Sequence, residues 1–268
     1  SNDECSSELI QHAEYYKLYT NPVVEADSGF TLGRDNNSFS HANWDGAGFD
    51  GIKTYVLDEA YYKKLVLNTT KAEKDSIKKQ MNRPWGGSCY GIAATMGLVA
   101  NGRLEVSDIS DKAEASYYKM AAPSKNRKLL NSINYYQLSQ YQNSYNKESV
   151  AAELCYPKSF FEKLFNWNST NEGLTVCLMR MVESAKGGDV LQLVYSYKES
   201  WYKAVGHAIL ITGVRYDDKN KRYILKLFDE NGDDFINMYV DKNFKSFNFT
   251  DATGDYIEED NFSCMYFF

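Results

Sequence analysis

The spacing of apolar residues divides the chain into a helical first part and a strand-rich second part. Apolar residues recur at helical intervals from Asp58 to Gln80, and Asp58 is a residue type that commonly precedes a helix. The turn at Pro84 must end this pattern, because proline disfavours helical geometry in the residue before it. Further helices are predicted at residues 88–102, within 107–150 and at 174–185.

After Gly188 the pattern changes to short apolar runs that are separated by turn residues. The runs predict antiparallel strands at residues 190–195, 208–214, 223–228 and 235–240. Helices followed by such strands indicate an α+β fold. We predict an extended N-terminal arm and then two lobes of one domain, with the segments arm 1–50, helical lobe 51–188 and β lobe 189–268.

The composition mainly excludes classes of function. The apolar fraction of 43% and the charged fraction of 25% are those of an ordinary globular protein. Acidic and basic residues are interspersed and the net charge is -6, so we expect no nucleic-acid partner. The longest nearly apolar stretch, 92–100, is far shorter than the roughly 20 residues of a membrane span, so we expect no membrane insertion.

The 22 tyrosines and the start at Ser1 lead us to expect a secreted or surface-attached bacterial protein.

The five cysteines are irregularly spaced and include no C-x-x-C pair, so we expect no zinc site and no other cofactor. A disulfide between Cys5 and Cys264 is one prediction for an oxidising compartment. The alternative is that these cysteines are reduced and buried as small apolar residues.

Cys89 has the surroundings that a cysteine nucleophile requires. Such a residue needs its thiolate form, a base that transfers protons, and backbone donors for an oxyanion. A helix N-terminus favours negative charge, and Cys89 begins a predicted helix directly after the turn Gly86-Gly87-Ser88. A core cysteine does not need a glycine pair before it, so we predict that Cys89 is catalytic.

His207 is the predicted base. The chain contains three histidines, of which His12 lies in a polar segment and His41 in a loop rich in Ser and Asn. His207 instead begins an apolar strand, where a titratable group is less common and points to a chemical role.

Asp229 is the predicted partner of the histidine. It ends the strand that follows the His207 strand, and in an antiparallel hairpin this end lies beside the start of the preceding strand. There a carboxylate would accept a hydrogen bond from the second imidazole nitrogen. Asn231 and Asp217 are the alternatives.

The segment Gly86-Gly87-Ser88-Cys89-Tyr90 resembles the papain-type signature Cys-Gly-Ser-Cys followed by Trp or Tyr. His207 and Asp229 follow Cys89 by 118 and 140 residues, which is similar to the spacing in that superfamily. The resemblance covers about residues 80–232 and implies a papain-like cysteine peptidase of a bacterial branch. It further implies a protein or peptide substrate, a thiolate acyl-enzyme and no cofactor.

The chain departs from the papain pattern at three positions. Glycine replaces the first signature cysteine, so the neighbouring disulfide of the family is missing, and Asp replaces the usual Asn in the third catalytic position. Arg83 occupies the position of the oxyanion glutamine, which leaves Gln80, Asn82 or backbone donors for that role. Two alternatives therefore stand beside the endopeptidase: a cell-wall amidase or acyltransferase of the same clan, and a catalytically inactive binding module.

Overall fold

The computed structural model describes residues 25–27, 48–111, 120–142, 167–200, 203–230, 234–250, 256–258 and 262–267. The chain divides into two compact units. The helical unit comprises residues 30–148 and 229–234, and the sheet unit comprises residues 1–29, 149–228 and 235–268. The described elements confirm the predicted α+β class.

The described helices of the helical unit are α1 (Glu59–Leu65), α2 (Lys71–Met81), α3 (Cys89–Ala100), α4 (Val106–Ile109) and α5 (Arg127–Ser139). The helical pattern over 58–80 therefore forms two helices. The second begins at Thr70, whose hydroxyl accepts from the Glu73 N–H, while the Glu73 carboxylate accepts from the Thr70 N–H at 2.6 Å. This reciprocal cap satisfies backbone donors that the break exposes.

Asp58 precedes α1 as predicted, but its side chain does not cap that helix. Its carboxylate accepts hydrogen bonds from Arg127 Nε at 2.9 Å and from Asn131 Nδ2 at 2.6 Å. These two bonds lower the pKa of Asp58, and they tie the start of α1 to α5.

Helix α3 is buried from Tyr90 to Gly97 and packs against α5. The backbones approach so closely that a Cβ on Gly91 would lie 2.1 Å from the Ile133 carbonyl oxygen. The helix ends at Asn101, and Gly102 has a φ of 65°, a left-handed conformation that favours glycine. The predicted end of this helix is therefore confirmed.

The sheet unit contains helix α6 (Trp167–Ala185) and the strands β1 (Glu25–Asp27), β2 (Leu191–Ser200), β3 (Lys203–Asp217), β4 (Arg222–Asp229), β5 (Asp234–Asp241), β6 (Phe247–Thr250), β7 (Tyr256–Glu258) and β8 (Phe262–Phe267). They form one sheet in the order β7-β6-β5-β4-β3-β2-β8, with β1 also paired to β3. Strands β2 to β5 confirm the four predicted strands. The other four were not predicted; β1, β6 and β7 have only three or four residues, which give too little alternation.

The register of β3 decides which residues are neighbours in the sheet. His207 pairs with Tyr195 on β2, and Leu210 pairs with Phe228 on β4, both in antiparallel ladders. The β3–β4 register shifts between Ile211 and Gly213. The β3–β4 ladder ends at this Leu210–Phe228 pair, and Asp229 follows as the last residue of β4.

Helix α6 packs against the sheet, although it lies before residue 188 in the chain. Its buried Leu178, Met181 and Val182 join a core that includes Leu193 and Ile209 of the sheet. Burying each such side chain contributes roughly 1.5–3 kcal/mol, so α6 is held by this apolar face. None of the helices in the described ranges is long and apolar enough to cross a membrane.

We expect Gly91→Ala to lower the free energy of unfolding by about 3 kcal/mol, because the new methyl group would collide with backbone that cannot rotate away. The midpoint of urea unfolding measures the change. Gly86→Ala is the control, since nothing lies within 4 Å of a Cβ at that position. Similar midpoints for the two variants would contradict the close α3–α5 approach.

Candidate functional site

The turn before Cys89 is held by the hydroxyl of Tyr55. This hydroxyl donates to the Gly87 carbonyl oxygen at 2.7 Å and accepts from the Gly86 N–H at 3.3 Å. Gly87 has a φ of 113°, which side-chain-bearing residues rarely adopt. Gly87 therefore has a structural reason to be glycine, because its backbone conformation lets the chain turn tightly beside the Tyr55 hydroxyl.

Trp85 anchors the same turn from a second direction. Its indole Nε1–H donates to Ser88 Oγ at 2.9 Å, and its backbone N–H donates to the Lys53 carbonyl oxygen at 2.8 Å. Its ring stacks on Phe49 with 4.9 Å between the ring centroids. The backbone that leads into Cys89 is thus held by hydrogen bonds and by ring stacking.

Cys89 is the first residue of α3 and is half-buried. The first turn of α3 contains no acidic residue, so its own sequence does not offset the positive end of the helix dipole. One N–H of this turn, that of Gly91, donates to Gln137 Oε1 at 2.9 Å. Cys89 therefore lies at the positive end of a buried helix whose first turn is held by a side chain of another helix.

His207 lies on β3 and is buried, with 7% of its surface exposed. The ring of Tyr195, its partner on β2, meets the imidazole edge-on with 5.8 Å between centroids. Ala208, Ile209 and Leu210 continue the strand as fully buried residues. The imidazole is thus oriented by a packed strand.

Asp229 is the last residue of β4, and Glu230 follows it; their exposed fractions are 1% and 3%. Buried carboxylates are costly unless they are paired or hydrogen-bonded, so two in succession indicate a specialised site. Asp217, the first alternative, lies at the opposite end of β3. It accepts from Asn220 Nδ2 at 2.7 Å and from Arg222 Nε at 3.2 Å, which lowers its pKa and closes a hairpin. Asn231, the second alternative, lies outside the described residues.

Within the helical unit, the Cys89 sulfur and a carboxylate oxygen of Glu230 lie within 4.8 Å of each other. Cys89 is a predicted site residue, whereas Glu230 is not. A signal for Glu230 existed, because it directly follows Asp229 at the end of an apolar strand. A thiol and a carboxylate are ligand types that zinc accepts, so these two residues could contribute to a metal site.

The predicted oxyanion donors differ in their surroundings. The Asn82 amide donates to the Lys78 carbonyl oxygen at 2.9 Å and thereby caps the end of α2. Gln80 and Arg83 line a small pocket together with Tyr55. The backbone N–H of Cys89 remains the donor nearest to the sulfur along the chain.

The other cysteines separate into two groups. Cys177 is buried and reduced, with 2% of its surface exposed. Cys5, one half of the disulfide predicted with Cys264, lies outside the described residues, as does Cys155.

No family model matches the chain, and no curated protein or solved structure matches it either.

We expect Tyr55→Phe to slow alkylation of Cys89 and to lower the free energy of unfolding by about 1–2 kcal/mol, because two hydrogen bonds of the turn are lost. Peptide mass mapping after brief iodoacetamide treatment measures the first effect, and urea unfolding measures the second. Tyr61→Phe is the matched control, since that hydroxyl makes no hydrogen bond within the described residues. Equal behaviour of the two variants would contradict the role assigned to Tyr55.

Proposed function

We propose that the protein is a papain-like cysteine endopeptidase in which Cys89 is the nucleophile, His207 the base and Asp229 the residue that orients the histidine. The observation that carries the proposal is the position of the Cys89 sulfur at the N-terminus of a buried helix, within 4.8 Å of a Glu230 carboxylate oxygen. The anchored turn supports the proposal, because it holds the sulfur in place for attack on a carbonyl.

The proposed reaction proceeds in two stages. The Cys89 thiolate attacks the amide carbonyl, and the oxyanion is stabilised by backbone donors that include the Cys89 N–H. The imidazolium of His207 then protonates the leaving amine as the C–N bond breaks, which leaves a thioester. Water attacks the thioester, His207 takes its proton, and the free thiolate and a carboxylic acid are released.

The two carboxyl groups at the end of β4 have different proposed roles. Asp229 accepts from the imidazole nitrogen that faces away from the sulfur and so fixes the tautomer and the ring. Glu230 lies close to the sulfur itself. Its negative charge would compensate a charged imidazole, but it would also oppose a thiolate, so its removal should be less damaging than that of Asp229.

At pH 6 we expect iodoacetamide to modify Cys89 at least tenfold faster than Cys177, which is buried. His207→Ala should remove most of this advantage, because the imidazolium no longer stabilises the thiolate. At pH 9.5, above the ordinary thiol pKa of about 8.5, the same substitution should matter little. Mass mapping of alkylated peptides over time measures the rates.

Tyr55 makes the comparison at pH 9.5 interpretable. Burial raises the pKa of Tyr55 above its ordinary value of 10.0, and negative charge on the nearby Cys89 sulfur adds to the rise. The hydroxyl therefore stays protonated at pH 9.5 and the turn remains intact. If His207→Ala leaves the alkylation rate of Cys89 unchanged at both pH values, the proposed catalytic pairing is wrong.

For casein hydrolysis we expect Asp229→Ala to lower kcat at least 100-fold while the urea midpoint changes little more than in Asp217→Ala. Loss of the orienting carboxylate leaves the imidazole in the wrong tautomer or orientation, whereas Asp217 only closes a distant hairpin. The loss of kcat in Glu230→Gln should lie between the losses in Asp229→Ala and Asp217→Ala. Equal losses for Asp229 and Asp217, or a larger loss for Glu230, would assign the third role to another residue.

A catalytically inactive binding module is the rival from another class. It is favoured by Arg83 at the position where the papain pattern has glutamine. A thiol-directed epoxide distinguishes the two. An endopeptidase loses casein hydrolysis in proportion to Cys89 labelling, whereas a binding module shows no hydrolysis to lose.

A further inference from the structure

A pocket beside the Cys89 turn combines one positive charge with polar side chains. Its volume is about 220 Å³, and the polar residues that line it are Tyr55, Gln80, Arg83, Gln137 and Tyr141. None of the described residues that line it is Asp or Glu, although the whole chain carries a net charge of -6. Pockets for whole small molecules measure roughly 300–1,000 Å³, so this one has room for a single side chain.

Arg83 supplies the charge of this pocket. Its side chain is exposed, and within the described part of the chain it makes no ion pair. Burial raises the pKa of Tyr141, and the positive charge of Arg83 opposes that rise. The positive charge of the Arg83 guanidinium therefore reaches the interior of the pocket, and no described carboxylate lines the pocket to neutralise it.

Two of the residues that line the pocket also form hydrogen bonds to the backbone on either side of Cys89. The Tyr55 hydroxyl binds Gly86 and Gly87, and Gln137 Oε1 accepts from the Gly91 N–H. The segment that these residues hold is the one that carries the sulfur. A chain bound over Cys89 would therefore pass next to the pocket.

We propose that this pocket binds the side-chain carboxylate of an Asp or Glu in a peptide substrate. A guanidinium pairs with a carboxylate through two parallel hydrogen bonds, and amide and phenol groups supply further donors. The inference deepens the proposed function by naming a substrate class, acidic peptides. Binding itself does not require that the protein cleave them.

The test is a binding measurement in the Cys89→Ala protein, which cannot turn over substrate. Calorimetry compares capped Ala-Glu-Ala with capped Ala-Gln-Ala at low salt. We expect the acidic peptide to bind about 5- to 10-fold more tightly, and the preference to shrink at 0.5 M salt, because the exposed guanidinium is then screened.

Arg83→Gln should abolish the preference, and Arg83→Lys should keep part of it. Lys79→Gln is the matched control, because it removes an exposed positive charge from the nearby last turn of α2 without touching the pocket. Equal binding of the two peptides would overturn the proposal. So would a preference that survives Arg83→Gln, or one that Lys79→Gln abolishes equally.

The result separates this proposal from the proposed function. Iodoacetamide is neutral and does not require the pocket, so His207→Ala should slow Cys89 alkylation at pH 6 by the same factor in the Arg83→Gln background as in the unaltered protein. Suppose that the acidic peptide binds more tightly but that His207→Ala does not change the rate of Cys89 alkylation. The protein would then bind acidic peptides without the proposed catalytic pairing. Normal thiol reactivity without the preference would leave the hydrolase without this specificity.

Discussion

The close approach of α3 to α5 is the constraint on which the rest of the candidate site depends. Only glycine at position 91 lets the two backbones meet at Ile133. The short distance between the two helices also allows Gln137 Oε1 to accept a hydrogen bond from the Gly91 N–H. The close backbone contact at Ile133 thus makes this hydrogen bond possible. Because α3 is buried along most of its length, its first residue, Cys89, has little freedom to move.

The turn before α3 extends this rigidity to the backbone in front of the sulfur. Tyr55 and Trp85 bind it through hydrogen bonds from different sides, and Gly87 accepts a backbone conformation that few residues tolerate. Fixed donors and a fixed nucleophile cost no reorganisation when charge develops during a reaction. The local structure around Cys89 is therefore that of a preorganised site, which a cysteine in an ordinary core would not require.

In the sheet unit, the register of the ladders determines the positions of the polar residues. In an antiparallel ladder, a shift by one residue would move every side chain of a strand to the other face. The pairing of Leu210 with Phe228 therefore fixes the position of Asp229, the last residue of β4. His207 occupies this part of β3, with Tyr195 against its ring.

The sequence by itself determined the α+β class, the strands β2 to β5, the end of α3 at Asn101 and the position of Cys89 at its start. These features follow from local signals: alternation, helical spacing and turn residues act within a few positions. Only the tertiary structure brought Glu230 close to Cys89, Gln137 to the Gly91 N–H and α6 onto the sheet. Such contacts join residues far apart in the chain, and periodicity records which face is buried but not which partner covers it.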